Sequence, residues 1–148
     1  AIPFGQNGDV PTVGNFDGDN KSDIAVFRPS NGVWYRLNSK DNSFFSIQFG
    51  QNGDKVVPAD YTGDGKDDIA VFRAGTWYIL RSENLSFYSI PFGLATDIPT
   101  LGDFDGDGRI DQAVYRNGQW FIQRSSSGFT TMPFGLTTDV PVGSTLVY

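Results

Sequence analysis

DIPTLGDFDGDGRID, residues 97–111, decides how the rest of the chain is read. It joins a short apolar strand to a loop of carboxylates and glycines, and it ends on the first residue of a second strand. In the loop, Asp103, Asp105, Asp107 and Asp111 stand at positions 1, 3, 5 and 9. Oxygen ligands on alternate residues all point inward when a chain coils around a centre, and Gly108 at position 6 permits the sharp turn. A hard cation such as calcium is caged in this way, with the backbone carbonyl of Arg109 at position 7 as a further ligand. Asp and Gly also favour turns without any metal. A plain turn, however, has no reason to hold four carboxylates within nine residues, where their repulsion opposes folding unless a cation offsets it. Only the first half of the EF-hand pattern is present, because position 12 is Val114 and no helix signal flanks the loop. The spacing predicts a calcium loop set between two strands.

The same loop occurs twice more, each time with a departure. In the first, Asn15, Asp17, Asp19 and Asp23 take positions 1, 3, 5 and 9, the Lys21 carbonyl takes position 7, and Asn20 replaces the turn glycine. Asn tolerates the left-handed conformation better than other non-Gly residues, so the turn is expected to survive. In the second, Asp60, Thr62, Asp64 and Asp68 take the ligand positions, with the Lys66 carbonyl and Gly65 at the turn. Each of these loops has three ligand carboxylates against four in the third, which predicts weaker binding.

Repetition extends to the whole chain. The element I/M-P/Q-F-G recurs with its Phe at 4, 49, 92 and 134, at spacings of 45, 43 and 42 residues. Asp9, Asp54, Asp97 and Asp139 keep the same phase. Each full unit reads as four strands. The first is typified by 10–16, 56–61 and 98–104, and the second by 24–28, 69–73 and 112–116. The third is 33–37, 76–80 and 119–123, and the fourth 44–49, 87–92 and 129–134. Length differences fall only in loops, as between Pro29–Gly32, Ala74-Gly75 and Asn117-Gly118. Ile69 and Val71 lie on one face of a strand and Ala70 and Phe72 on the other, so such a sheet needs cover on both sides. The expected fold is all-β: β-propeller blades, three four-stranded antiparallel repeats of 42–45 residues plus terminal strand fragments. The divisions are an outer-strand fragment at 1–8, blades at 9–53, 54–96 and 97–138, and an inner-strand fragment at 139–148. Continuing the phase puts loop positions 1 and 3 at Thr145 and Val147, so no fourth ion site is expected and the tail 145–148 abandons the loop.

Charge and composition narrow the classes. Of 17 acidic residues 11 lie in the three loops, so the net charge of −6 is a local feature. An acidic chain without a basic stripe argues against nucleic acid or an anionic membrane as partner. Cysteine and histidine are both absent, which removes disulfides, thiolate sites and the usual zinc ligand. No apolar run approaches transmembrane length, and the start at Ala1 reads equally as a mature N-terminus after signal cleavage or as an arbitrary boundary.

Phe92-Gly93, the strand 98–104, the loop DFDGDGRID and the strand QAVYR together resemble the FG-GAP repeat. That repeat also occurs in VCBS-type bacterial proteins and in the propeller of integrin alpha subunits. The resemblance implies blades with the strand before the acidic loop innermost and calcium stabilising the hairpin on one rim. It also implies an extracellular or surface role in adhesion or in sugar or protein binding, without chemistry.

Trp34, Trp77 and Trp120 recur at one phase, each near an Arg that ends the preceding strand: Arg28, Arg73 and Arg116. Two readings stand side by side, a repeated sugar platform and an Arg stacked on a Trp as structural cation–π packing. Repetition in every unit favours the second. Clustered carboxylates are committed to the loops and Glu83 is the only glutamate, so no enzyme is expected. The functional expectation is a non-catalytic, secreted calcium-binding module that recognises a glycan or a surface protein. The alternative is a purely structural, self-assembling subunit. Three blades are fewer than the four to eight that close a propeller, so a homo-oligomer or polymer is expected, or failing both a fragment of a longer propeller.

Overall fold

The computed structural model describes residues 1–142. Twelve strands form three separate four-stranded antiparallel sheets, each a simple meander. The first sheet holds β1 (Val10–Gly14), β2 (Asp23–Arg28), β3 (Val33–Leu37) and β4 (Phe44–Gln48). The second holds β5 (Lys55–Val56), β6 (Ile69–Arg73), β7 (Thr76–Leu80) and β8 (Phe87–Pro91). The third holds β9 (Ile98–Gly102), β10 (Asp111–Arg116), β11 (Gln119–Arg124) and β12 (Gly128–Pro133). Among the described residues no helix is long and apolar enough to cross a membrane.

Register follows from the tight hairpins. Ala74 (φ 49°) and Gly75 (φ 85°) both sit in the left-handed region, as do Asn117 and Gly118. Two such residues match the twist of the flanking strands, and this fixes Arg73 opposite Thr76 and Arg116 opposite Gln119. One expected strand is cut short. The first strand of the second unit pairs regularly only at Lys55–Val56. Pro58 supplies no N–H to the ladder, and pairing resumes as an isolated bridge between Ala59 and Asp68.

The sheets pack face to face in chain order. Phe27 and Trp34 of the first sheet are buried against Val56, Ile69, Val71 and Leu80 of the second. Ala70, Phe72, Trp77 and Ile79 on the other face of the second sheet are buried against Leu101 and Val114 of the third. Both faces of β6 are thus covered, as its unbroken apolar run requires.

The outer faces are partly open, although Val26 on the first and Ala113, Tyr115 and Ile122 on the third stay buried. Val13 and Phe44 on the free face of the first sheet are 55% and 62% exposed, and Met132 on the free face of the third is 57% exposed. The expected terminal strands do not form: Ala1–Gly5 and Val140–Val142 carry no strand. A strand exists only where a neighbour takes its N–H and C=O groups, and the middle strands that would flank these fragments are not among the described residues. Gly143, Thr145, Val147 and the tail to Tyr148 lie outside the described residues.

Candidate metal centre

The three acidic loops connect the first and second strands of each sheet, and the glycines there do the coiling. Gly63 and Gly106 at position 4, and Gly65 and Gly108 at position 6, have φ between 76° and 87°. Asn20 takes the same left-handed conformation in the first loop at φ 64°.

In the third loop Asp103, Asp105 and Asp111 each offer one oxygen, and these lie within 4.8 Å of one another. Asp103 accepts the N–H groups of Gly106 (2.6 Å), Asp107 (3.2 Å) and Gly108 (2.9 Å), which curls the loop around it. The Gly108 N–H above all holds the Asp103 carboxyl below the usual carboxylate range. Asp111 is fully buried and bridges two elements, accepting the Phe104 N–H at 2.8 Å and the Ser125 N–H at 2.7 Å. Asp105 places Oδ2 against Ser126 N–H, Ser126 O–H and Ser127 N–H at 2.8–3.1 Å, and the Ser126 hydroxyl leads in holding its pKa down. Its other oxygen, Oδ1, is buried without a hydrogen-bond partner. A buried carboxylate oxygen with nothing to accept is costly. A cation between Asp103, Asp105 and Asp111 would satisfy it. Asp107 stands outside this trio, with its oxygens on the Arg109 N–H (2.9 Å) and the Ser125 hydroxyl (2.6 Å).

The second loop repeats the pattern with a hydroxyl. Asp60 accepts N–H groups from Gly63, Asp64 and Gly65. Asp64 takes the Lys66 N–H and the Ser82 hydroxyl. Asp68 is buried between the Tyr61 and Ser82 N–H groups, and burial raises its pKa to about 6. Thr62 Oγ1, at the position of Asp105, is again buried without a partner.

The first loop differs. Asp17 is already engaged on both oxygens, by the N–H groups of Asp19 (3.0 Å) and Lys40 (3.2 Å). Asp19 carries the Lys21 N–H and the Ser39 hydroxyl, with the Lys21 ammonium 3.9 Å away. Asp23 accepts from Phe16, Asp17 and Ser39. The Asn15 side-chain oxygen accepts the Gly18 N–H, and its amide nitrogen turns outward to the Gly65 carbonyl at 3.0 Å. The donor set fits calcium in the third loop and, with one hydroxyl, in the second. The first has no buried orphan at position 3.

Adjacent loops are joined. The Asn15 carbonyl accepts the Asp67 N–H and the Asp60 carbonyl accepts the Ile110 N–H, both at 2.9 Å.

Two sets of residues escaped the sequence reading. Ser39, Ser82 and Ser125, each five residues after a Trp, clamp the position-5 and position-9 carboxylates from the hairpin between the third and fourth strands. Asp9, Asp54 and Asp97 form bidentate pairs with Arg28, Arg73 and Arg116 at 2.6–3.0 Å. Burial pushes the Asp97 carboxyl up, but Arg116 and the Leu94 N–H outweigh it and hold it below its ordinary value.

The proposed Arg–Trp stacking is corrected. Arg28, Arg73 and Arg116 lie over Tyr35, Tyr78 and Phe121 at 4.3–4.8 Å. Trp34 pairs with Phe27, one residue out of phase with Arg28, and strand alternation puts it on the opposite face. Trp34 and Trp77 are buried, and all three indoles donate to the carbonyls of Phe49, Phe92 and Phe134. The two buried indoles present no sugar platform.

A repeated four-stranded sheet with a carboxylate-rich loop between its first two strands defines a repeat protein. The chain belongs to the FG-GAP-like repeat family, which matches residues 15–71 and 60–114. No curated protein and no solved structure matches the chain.

Proposed function

We propose that this is a non-catalytic calcium-binding module built of propeller blades, acting outside the cell in adhesion or ligand binding. The observation that carries the reading is the orphan Oδ1 of Asp105 beside Asp103 and Asp111. A bound calcium ion supplies positive charge there without any reaction. Asp103 then curls the loop around it, while Asp111 and Asp105 transmit its position to the Ser125–Ser127 turn, tying three segments of one sheet together. Loops this open to solvent suit the weak range of extracellular calcium modules, about 10⁻⁴–10⁻³ M. An ion held only by the folded state stabilises by about 2.7 kcal/mol at a hundredfold excess over its dissociation constant. Metal-free protein should therefore melt at a clearly higher temperature on adding calcium, and identical melts with calcium and with chelator would refute the reading.

A structural role in assembly is supported by the open end faces. The Trp face of each sheet packs on the following sheet, so the Trp120 face of the third fits the Val13/Phe44 face of another first sheet. In the 148 residues alone, a second copy provides it, two chains making a ring of six sheets. Static light scattering in calcium should give about twice 16.2 kDa or more. A monodisperse monomer that binds no hydrophobic dye contradicts it.

A further inference from the structure

The two sheet–sheet interfaces use the same packing but differ at two positions near the acidic loops. Between the second and third sheets, Ile79 is fully buried and Ile110 packs against the same core. One repeat earlier these positions are Arg36 and Asp67. The replacement leaves a cleft of about 450 Å³ between the first and second sheets, on the rim of the acidic loops.

Among the described residues Arg36 makes no close ion pair, and Asp17 and Asp23 act on it only at longer range. Its guanidinium is held between the rings of Phe45, at 4.6 Å, and Phe16, at 5.5 Å. Its Nε is buried and has no hydrogen-bond partner. Burial holds its pKa below the ordinary arginine value, although an arginine stays charged regardless. The contrast with Arg28, Arg73 and Arg116 is direct, since each of those has a bidentate carboxylate. A guanidinium that lines a cleft without a carboxylate of its own accepts one in the same charge-assisted way. Lys66 lines the cleft from the neighbouring loop and adds positive charge.

The remaining walls limit what such a carboxylate is attached to. Asp17, Asp67 and Glu83 also line the cleft, so a dianionic phosphate or a polysulfate meets three acids against two bases. A singly charged ligand rich in hydroxyls fits better: Asp67 and Glu83 accept its O–H groups, and Lys66 and the Asn84 amide donate to its oxygens. We propose that the Arg36 cleft binds the carboxylate of an acidic sugar, a uronic acid residue within a glycan. This rests on the ligand-binding reading above and supplies its substrate class.

The test is an NMR titration of the calcium-loaded protein with methyl glucuronoside. Its methyl ester, methyl glucoside, glucose 6-sulfate and N-acetyl-aspartate amide serve as parallel arms. The expected result is saturable shifts at Arg36, Lys66 and Asn84 with the glucuronoside, and at least about tenfold weaker binding for the ester and the glucoside. Arg36→Ile restores the residue found at this position in the other two repeats, so folding is expected to persist, and it should weaken binding by the same factor. Arg36→Lys keeps the charge but loses the fork, and should fall between the two. Equal binding of acid and ester, full binding by Arg36→Ile, tighter binding of the sulfate, equal binding of the aspartate amide, or no saturable shift would each overturn the assignment. The calcium-dependent melt is read on the same samples, so loss of sugar binding with the melt shift intact refutes the cleft alone.

Discussion

The first and third repeats are built on one template and are stabilised from opposite ends. In the first, Trp34 is 1% exposed and its indole bond to Phe49 is sheltered, but every oxygen of Asp17 is already taken by the protein. In the third, Trp120 is only partly covered, whereas the loop holds three converging carboxylates and an oxygen with no partner. Counting carboxylates explains only part of this difference. The difference sits at position 3, where both oxygens of Asp17 are hydrogen-bonded and Asp105 keeps one oxygen free of any partner. Cover of the core and readiness for a cation are therefore separable in this fold.

The largest expected effect separates the two cores. Trp34→Ala should cost about 3–5 kcal/mol, the usual loss for a buried aromatic, and Trp120→Ala should cost clearly less in calcium-free monomer. Urea denaturation of both variants measures this. Equal losses would mean that the Trp120 face is as well packed as the inner ones, and the comparison would fail.

A smaller effect separates the two loops. Ser126→Ala removes the hydroxyl from Asp105 and should cost about 1 kcal/mol without calcium. Lys40, the matching residue in the first repeat, gives Asp17 only its backbone N–H, so Lys40→Ala should change stability little. Thermal melts in chelator compare them. A Lys40→Ala loss as large as that of Ser126→Ala would show that the two turns support their loops alike.

Much of this was legible in the chain. The recurrence of I/M-P/Q-F-G and the carboxylate spacing give three all-β units and their loops, because both depend on local periodicity. The left-handed Asn20 was legible for the same reason, since only Gly, Asn or Asp takes that conformation readily. The partner of each Arg was not. Arg28 and Trp34 are close along the chain, but strand alternation puts them on opposite faces, and the true partner Asp9 lies 19 residues before Arg28. Nor does the ligand spacing tell which carboxylates are already engaged. Asp17 and Asp105 hold the same position and both turn Oδ2 to the Lys40 and Ser126 turns; they differ at Oδ1, which takes the Asp19 N–H in the first loop, whereas in the third the Asp107 N–H goes to Asp103 instead.

The most direct test is calorimetric titration of calcium into metal-free protein carrying Asp105→Asn or Asp17→Asn. Removing the Asp105 charge should abolish the tightest site, and removing the Asp17 charge should leave that site unchanged. An Asp105→Asn isotherm that overlays the unsubstituted protein, or loss of the tightest site with Asp17→Asn, would contradict the account.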